Sequence, residues 1–111
     1  MIPASVRIFV CTRPQDMRRS FDTLALAARE LLGEDPQSGA LFCFLGKRNR
    51  LKVLWWDRNG YCLLYKRLHR AVFRLPSTAD ADGDKIQIDG RQLAQLLAGV
   101  ALERAALRKI G

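Results

Sequence analysis

The sequence predicts an α+β fold: one domain with a mainly antiparallel sheet and a central hairpin, packed by an N-terminal and a C-terminal helix. Three features predict it. Two β-rich runs, 51–56 and 61–68, flank Asp57-Arg58-Asn59-Gly60, and Asn-Gly favours the left-handed backbone of tight hairpin turns. Ahead of them, Met17, Phe21, Leu24, Ala28, Leu31 and Leu32 recur at helical spacing. Near the end, Asp89 stands where a helix cap belongs, before the apolar stripe Leu93, Leu96, Leu97 and Val100.

The elements follow in order. Residues 6–12 (VRIFVCT) are apolar and β-branched, and Pro14 stops them, so they form a first strand. Residues 15–32 form the first helix, with Pro14 and Asp16 suiting its first turn and Gly33 the position past its end. Its stripe is expected to bury Met17, Phe21 and Leu24 and to leave Arg18 and Arg19 in solvent. Turn residues 34–39 (EDPQSG) lead to a buried strand at 40–45, and 47–50 make a basic turn into the hairpin. In the outgoing strand Leu51, Val53 and Trp55 face one side and Lys52, Leu54 and Trp56 the other. In the return strand Tyr61, Leu63, Tyr65 and Arg67 alternate with Cys62, Leu64, Lys66 and Leu68. A short strand at 70–75 ends at Pro76, an acidic loop spans 77–84, and a last strand runs 85–88. The second helix covers 91–98 and stops at Gly99, leaving a helical or frayed tail over 100–111. Strands joined by tight turns imply antiparallel pairing, with the helices on one face of the sheet.

Size and composition narrow the class. With 111 residues the chain fits one domain, 1–111, and a domain of this size buries roughly two-thirds of its unfolded surface without needing a metal or disulfides. A hydrophobic fraction of 49% and a charged fraction of 27% are those of a folded chain. Apolar runs are far shorter than the roughly 20 residues of a membrane span, and the first residues lack signal-peptide organisation. A cytoplasmic location and no membrane partner are therefore expected, with nucleoid association following from a DNA-binding reading. Cys11, Cys43 and Cys62 are odd in number, widely spaced and set in apolar runs, so they read as buried thiols in a reducing compartment.

Catalytic chemistry has little to stand on. His69, the single histidine, has no sequence neighbour that would make a nucleophile–base pair. Asp80, Asp82 and Asp84 have loop spacing loosely like a calcium site but lack the closing glutamate. Gly46-Lys47 has neither the earlier glycine nor the hydroxyl residue of a phosphate loop. The sequence thus assigns no catalytic residue, no metal ligand and no cofactor, and reads as a non-enzyme.

The charge is more informative. The whole chain nets +8, and residues 47–74 hold Lys47, Arg48, Arg50, Lys52, Arg58, Lys66, Arg67, Arg70 and Arg74 against one acid, Asp57. That block alone accounts for the excess. A nearly acid-free block points to an anion-binding surface, whereas a solvated sheet edge would mix both signs. The candidate DNA-binding residues are Lys47, Arg48, Arg50, Lys52, Lys66, Arg67, Arg70 and Arg74. Antiparallel pairing is expected to bring the Arg50 end of one strand to the Arg67 end of the next. Trp55 and Trp56 point to opposite faces, so at least one belongs to the core and neither is assigned to base stacking.

The motifs also resemble a family. Asp16-Met17-Arg18-Arg19-Ser20-Phe21-Asp22-Thr23-Leu24 resembles the D-M-R-x-x-F-D-x-L signature of TnpB-type accessory proteins, the second reading frame of the insertion-sequence-66 family of bacterial transposons. Asp35-Pro36-Gln37-Ser38-Gly39-Ala40-Leu41-Phe42 resembles its D-P-x-S-G-x-L-F. Further matches are Leu51 to Asp57, Gly60, Tyr65 to Leu68, Phe73 to Pro76 and a closing helix at 93–99. The chain departs from the pattern at Ala71 and Leu75, where the family usually carries Gly and Trp. The resemblance implies a non-catalytic accessory factor for transposition, acting beside a separate transposase of the same element. Two functions stay open. One is binding of DNA at the transposon ends through the basic hairpin surface. The other is a protein–protein adaptor that docks the transposase or host factors without touching DNA. Binding of RNA through the sheet has weaker support, since no stacking motif is present.

Overall fold

A computed structural model describes residues 5–79 and 81–102. The elements are β1 (Ile8–Cys11), α1 (Phe21–Glu30), β2 (Leu41–Gly46), β3 (Arg50–Asp57), β4 (Gly60–Arg67), β5 (Ala71–Val72), β6 (Lys85–Ile88), α2 (Gly90–Ala98) and β7 (Val100–Ala101). Five strands form one sheet in the order β4-β3-β2-β1-β6, and β5 and β7 pair as a small second ribbon. The architecture is α+β and mainly antiparallel, as the sequence predicts.

Three details differ from the sequence expectation. The pair β1–β2 is parallel, Ile8 opposite Leu41 and Val10 opposite Cys43, with α1 as the crossover between them. A parallel neighbour needs such a crossover, and residues 12–40 supply it. The helices also lie on opposite faces. Phe9, Phe42, Phe44 and Leu54 pack with Leu24, Ala28 and Leu32 on the α1 side. Ile8, Val10, Cys43, Leu51, Val53, Ile86 and Ile88 pack with Leu93, Leu96 and Phe73 on the α2 side. Strand β1 is accordingly buried at every residue, which is what a strand covered on both faces requires. Finally, the hairpin β3–β4 forms one edge of the sheet, and its centre is β2.

The first helix is shorter than its stripe. It starts at Phe21, because Ser20 takes the cap and its backbone N–H donates to Thr23 Oγ1 at 3.0 Å. Residues 15–19 put their hydrogen bonds elsewhere: Gln15 N–H donates to the Leu45 carbonyl at 2.8 Å, and Arg18 N–H to Asp16 Oδ1 at 2.9 Å. Met17 is buried from this non-helical segment, whereas Phe21 is 44% exposed, so its expected core role is corrected. At the other end Gly33, at φ +65°, donates to Arg29, and Glu34 donates to Ala28. This is the paired C-terminal closure that glycine permits.

The turn and tail need similar corrections. Asp57 pairs with Gly60, and the left-handed residue of the turn is Arg58 (φ 58°), not Asn59 or Gly60. Only Ala71–Val72 of the expected strand 70–75 is a strand. Its partner, Val100–Ala101, replaces the start of the expected tail. The remainder of that tail, from residue 103, lies outside the described residues. No helix among the described residues is long and apolar enough to cross a membrane.

Helix α2 forms as expected, with Asp89 accepting from Gln92 N–H at 2.8 Å. It ends at Gly99, where φ 69° and ψ −174° are open essentially to glycine alone. A Cβ there would lie 2.5 Å from Leu68 Cδ1 and 3.0 Å from the Val72 carbonyl. Gly99→Ala is expected to cost about 1–3 kcal/mol in urea unfolding. Gly60→Ala, whose Cβ meets open space, serves as the near-neutral control. Equal midpoints for the two variants would refute the strain argument.

The cysteines divide. Cys11 and Cys43 are buried, but Cys62 is half-buried on β4, which corrects the expectation of three buried thiols. Burial pushes the Cys43 thiol up to about 12, and burial is also the main cause raising Cys11. Since the thiolate is the reactive form, a thiol reagent is expected to label Cys62 in the native protein, and the other two only on unfolding. Mass spectrometry of the labelled peptides checks this, and native labelling of Cys43 would contradict it.

Candidate nucleic-acid interface

The basic surface is assembled at the end of the sheet where β2 turns into β3. Gly46 pairs with Arg50, and Lys47-Arg48-Asn49 close the loop. Lys47 (φ 51°) and Arg48 (φ 63°) are both left-handed, as is Arg70 (φ 54°). With Arg58 they are the non-glycine residues in that region among those described, and all four are basic. Each such backbone costs on the order of 1 kcal/mol, so the fold holds these cations in place against local preference.

Hydrogen bonds bind the next segment over this loop. Leu68 N–H donates to the Asn49 carbonyl at 2.8 Å, and Phe73 N–H to the Arg48 carbonyl at 2.7 Å. The segment carrying exposed Arg70 and Arg74 is thereby tied to the loop that holds Lys47 and Arg48, with Arg74 lining a groove against Gln92 and Gln95 of α2. Within the hairpin Arg50 stands directly opposite Arg67. Like charges in that position repel across a ladder. The Nε of Arg50 is buried and unpartnered. The ion pairs formed among the described residues involve Arg7, Arg13, Arg18, Arg29 and Lys85, none of them from 47–74. Among the described residues the basic block therefore forms no ion pair of its own.

Two of the candidate residues are placed differently. Lys52 is 6% exposed; its ammonium donates to the Arg19 carbonyl and lies 4.8 Å from the Tyr65 ring. It ties the hairpin to the segment before α1 and does not reach the surface. Lys66 emerges on the α2 side, where its ammonium donates to the Leu97 carbonyl at 2.8 Å and so satisfies the helix C-terminus.

Arg18 joins the basic end from outside the block, whereas the Arg19 guanidinium donates to Gln15 Oε1 at 3.1 Å and lines a separate groove against α1. Gly46 makes this possible: a Cβ there would sit 2.5 Å from Met17 Cγ and 2.7 Å from the Gln15 carbonyl, so only glycine lets the segment dock. The result is a cleft of about 450 Å³ lined by Gln15, Asp16, Met17, Arg18, Lys47 and Arg50. Asp16 grips Arg18 in a fork, 2.6 Å to Nη2 and 3.0 Å to Nε, and this hydrogen bonding holds its carboxyl well below the usual range. Arg18 is thus already partnered, whereas Lys47 and Arg50 across the cleft form no ion pair among the described residues. Arg18 and Arg19 are exposed, as the sequence predicts; the sequence did not reveal that Arg18 lies beside Lys47, and its place in the D-M-R-R motif beside a strand-ending glycine was the available signal.

The chain is similar to a described family and to two proteins of one bacterium. The family described as "IS66 Orf2 like protein" matches residues 6–106. "Uncharacterized protein y4hO" of Sinorhizobium fredii (strain NBRC 101917 / NGR234) is 43% identical over 103 residues, spanning 90% of this chain and 87% of the relative. "Uncharacterized protein y4jC" of the same strain is 30% identical over 106 residues, spanning 95% and 88%. No solved structure matches.

Proposed function

This chain belongs to the IS66 Orf2-like family, an accessory protein family of transposition, and from that premise we propose that it binds DNA at the transposon ends and there assists a separate transposase of the same element. The binding groups are Lys47, Arg48, Arg50, Arg67, Arg70 and Arg74. The observation that carries this reading is the unneutralised basic end. Strained loops and a directly opposed arginine pair concentrate positive charge there, and among the described residues no ion pair involves residues 47–74. The regularly spaced phosphates of a polyanion neutralise that charge, and the counterions released from the polyanion drive the association.

The same charge suits an acidic face of the transposase, so the test separates the two partners. The purified chain is passed over duplex DNA carrying the element's terminal repeats, and in parallel over immobilised transposase, each with and without the other. Retention on DNA alone, weakening steeply with salt, supports the proposal. Retention by transposase with none on DNA at low salt overturns it in favour of an adaptor.

A further inference from the structure

The strand β4 lies at an open edge of the sheet, and its residues Gly60 to Tyr65 carry no charge. Leu64 is 42% and Tyr65 50% exposed on opposite faces of that edge. Protected edges are short, charged or bulged. The other edge, β6, has four residues and starts at Lys85. By contrast β4 has eight residues, and charge enters only at Lys66 and Arg67. Because Asp57 and Gly60 close a two-residue turn, the ladder directs the backbone groups of Cys62 and Leu64 to β3. Those of Tyr61, Leu63 and Tyr65 point outward, without strand partners among the described residues.

We propose that β4 pairs antiparallel with β4 of a second copy, about a two-fold axis at Leu63, joining two sheets into one. A two-fold normal to the sheet keeps each face on its own side, so only registers that pair residues of like face are allowed. With the axis at Leu63, Tyr61 meets the partner's Tyr65, and Cys62 meets the partner's Leu64. Lys66 meets the partner's Gly60, and Arg67 the partner's Asn59. No like charges face each other. Moving the axis to Leu64 would direct Arg58 toward the partner's Arg70. The charge pattern therefore selects the register at Leu63. The two Arg67 ends lie about 27 Å apart along the joined strands, more than three Debye lengths of about 8 Å at physiological salt. A second copy suits this edge better than an unrelated strand because the uncharged run complements itself.

A disulfide reads the register. Cys62 and the partner's Leu64 form a non-hydrogen-bonded pair, with Cα atoms about 4.5 Å apart, inside the range a disulfide spans. Positions 62 and 64 of one chain are two residues apart on an extended strand, with parallel side-chain directions, and do not bridge. Leu64→Cys is therefore expected to give a covalent dimer under mild oxidation, and adding Cys62→Ser is expected to remove it. Circular dichroism confirms that the exposed substitution leaves the fold intact. Wild-type protein is expected to sediment with a concentration-dependent mass that approaches a dimer by about 100 µM, since an edge-to-edge contact is at the small end of specific interfaces. Monomeric wild type at that concentration overturns the pairing. Equal cross-linking with and without Cys62, or none from Leu64→Cys, overturns the register and the proposal with it.

Discussion

Phe42→Ala is expected to lower unfolding free energy by about 3–5 kcal/mol, while Phe21→Ala changes it by less than about 1 kcal/mol. Phe42 lies on the central strand, is 0% exposed and stacks on Phe9 with ring centres 5.9 Å apart. Truncation opens a cavity between β1, β2 and α1 that the parallel pair and its crossover helix cannot close without breaking the ladder. For a domain held by roughly 5–15 kcal/mol, that is a large share of the total. Phe21 sits in the first turn of α1 with nearly half its surface in water. Urea midpoints of the two variants, measured with equal slopes, check the contrast. A Phe21→Ala loss equal to that of Phe42→Ala would mean that the helix is buried on the other side.

The same contrast shows where local pattern informs and where it misleads. The hairpin, the strand at β2 and the Asp89 cap were legible because each depends on residues a few positions apart. The start of α1 was not. Met17 falls on the helical stripe and is buried, but its burial comes from packing on Gly46, which is distant in sequence. Parallel pairing of β1 with β2 leaves no local mark, since the alternation of side chains is the same in either direction. The ribbon β5–β7 joins two-residue strands from the hairpin exit and the chain end, too short for any periodicity to report.

The basic end was partly legible for a related reason. Charge density along the chain marked 47–74, and the hairpin register followed from the turn. Which cations are free depended on packing. Lys52 looks like its neighbours in sequence, yet the alternation that exposes Arg67 turns Lys52 under the segment before α1, where the Arg19 carbonyl holds it. Lys66 is drawn to the end of α2. The surface that remains is narrower than the sequence block and is joined by Arg18 from elsewhere in the chain.

Replacing Lys47, Arg48 and Arg67 with Glu is expected to abolish measurable DNA binding and to leave the melting curve nearly unchanged. All three are exposed and take part in none of the fold's ion pairs among the described residues, so reversing them removes little from stability. Arg50 is kept, because its half-buried guanidinium would confound binding with folding. If the wild-type surface engages about 4–6 phosphates, log affinity should fall with log salt at a slope of roughly −4 to −5. Single reversals at Arg48 or Arg67 should each reduce that slope by about one and weaken binding on any duplex sequence alike, as phosphate contacts do. Lys52→Met gives the complementary control: it should lower the melting temperature through loss of the Arg19 and Tyr65 contacts and leave the salt slope as it was. A triple variant that keeps wild-type affinity at matched salt would place the DNA contact on another face. A Lys52→Met variant that loses DNA binding at full stability would return that residue to the interface.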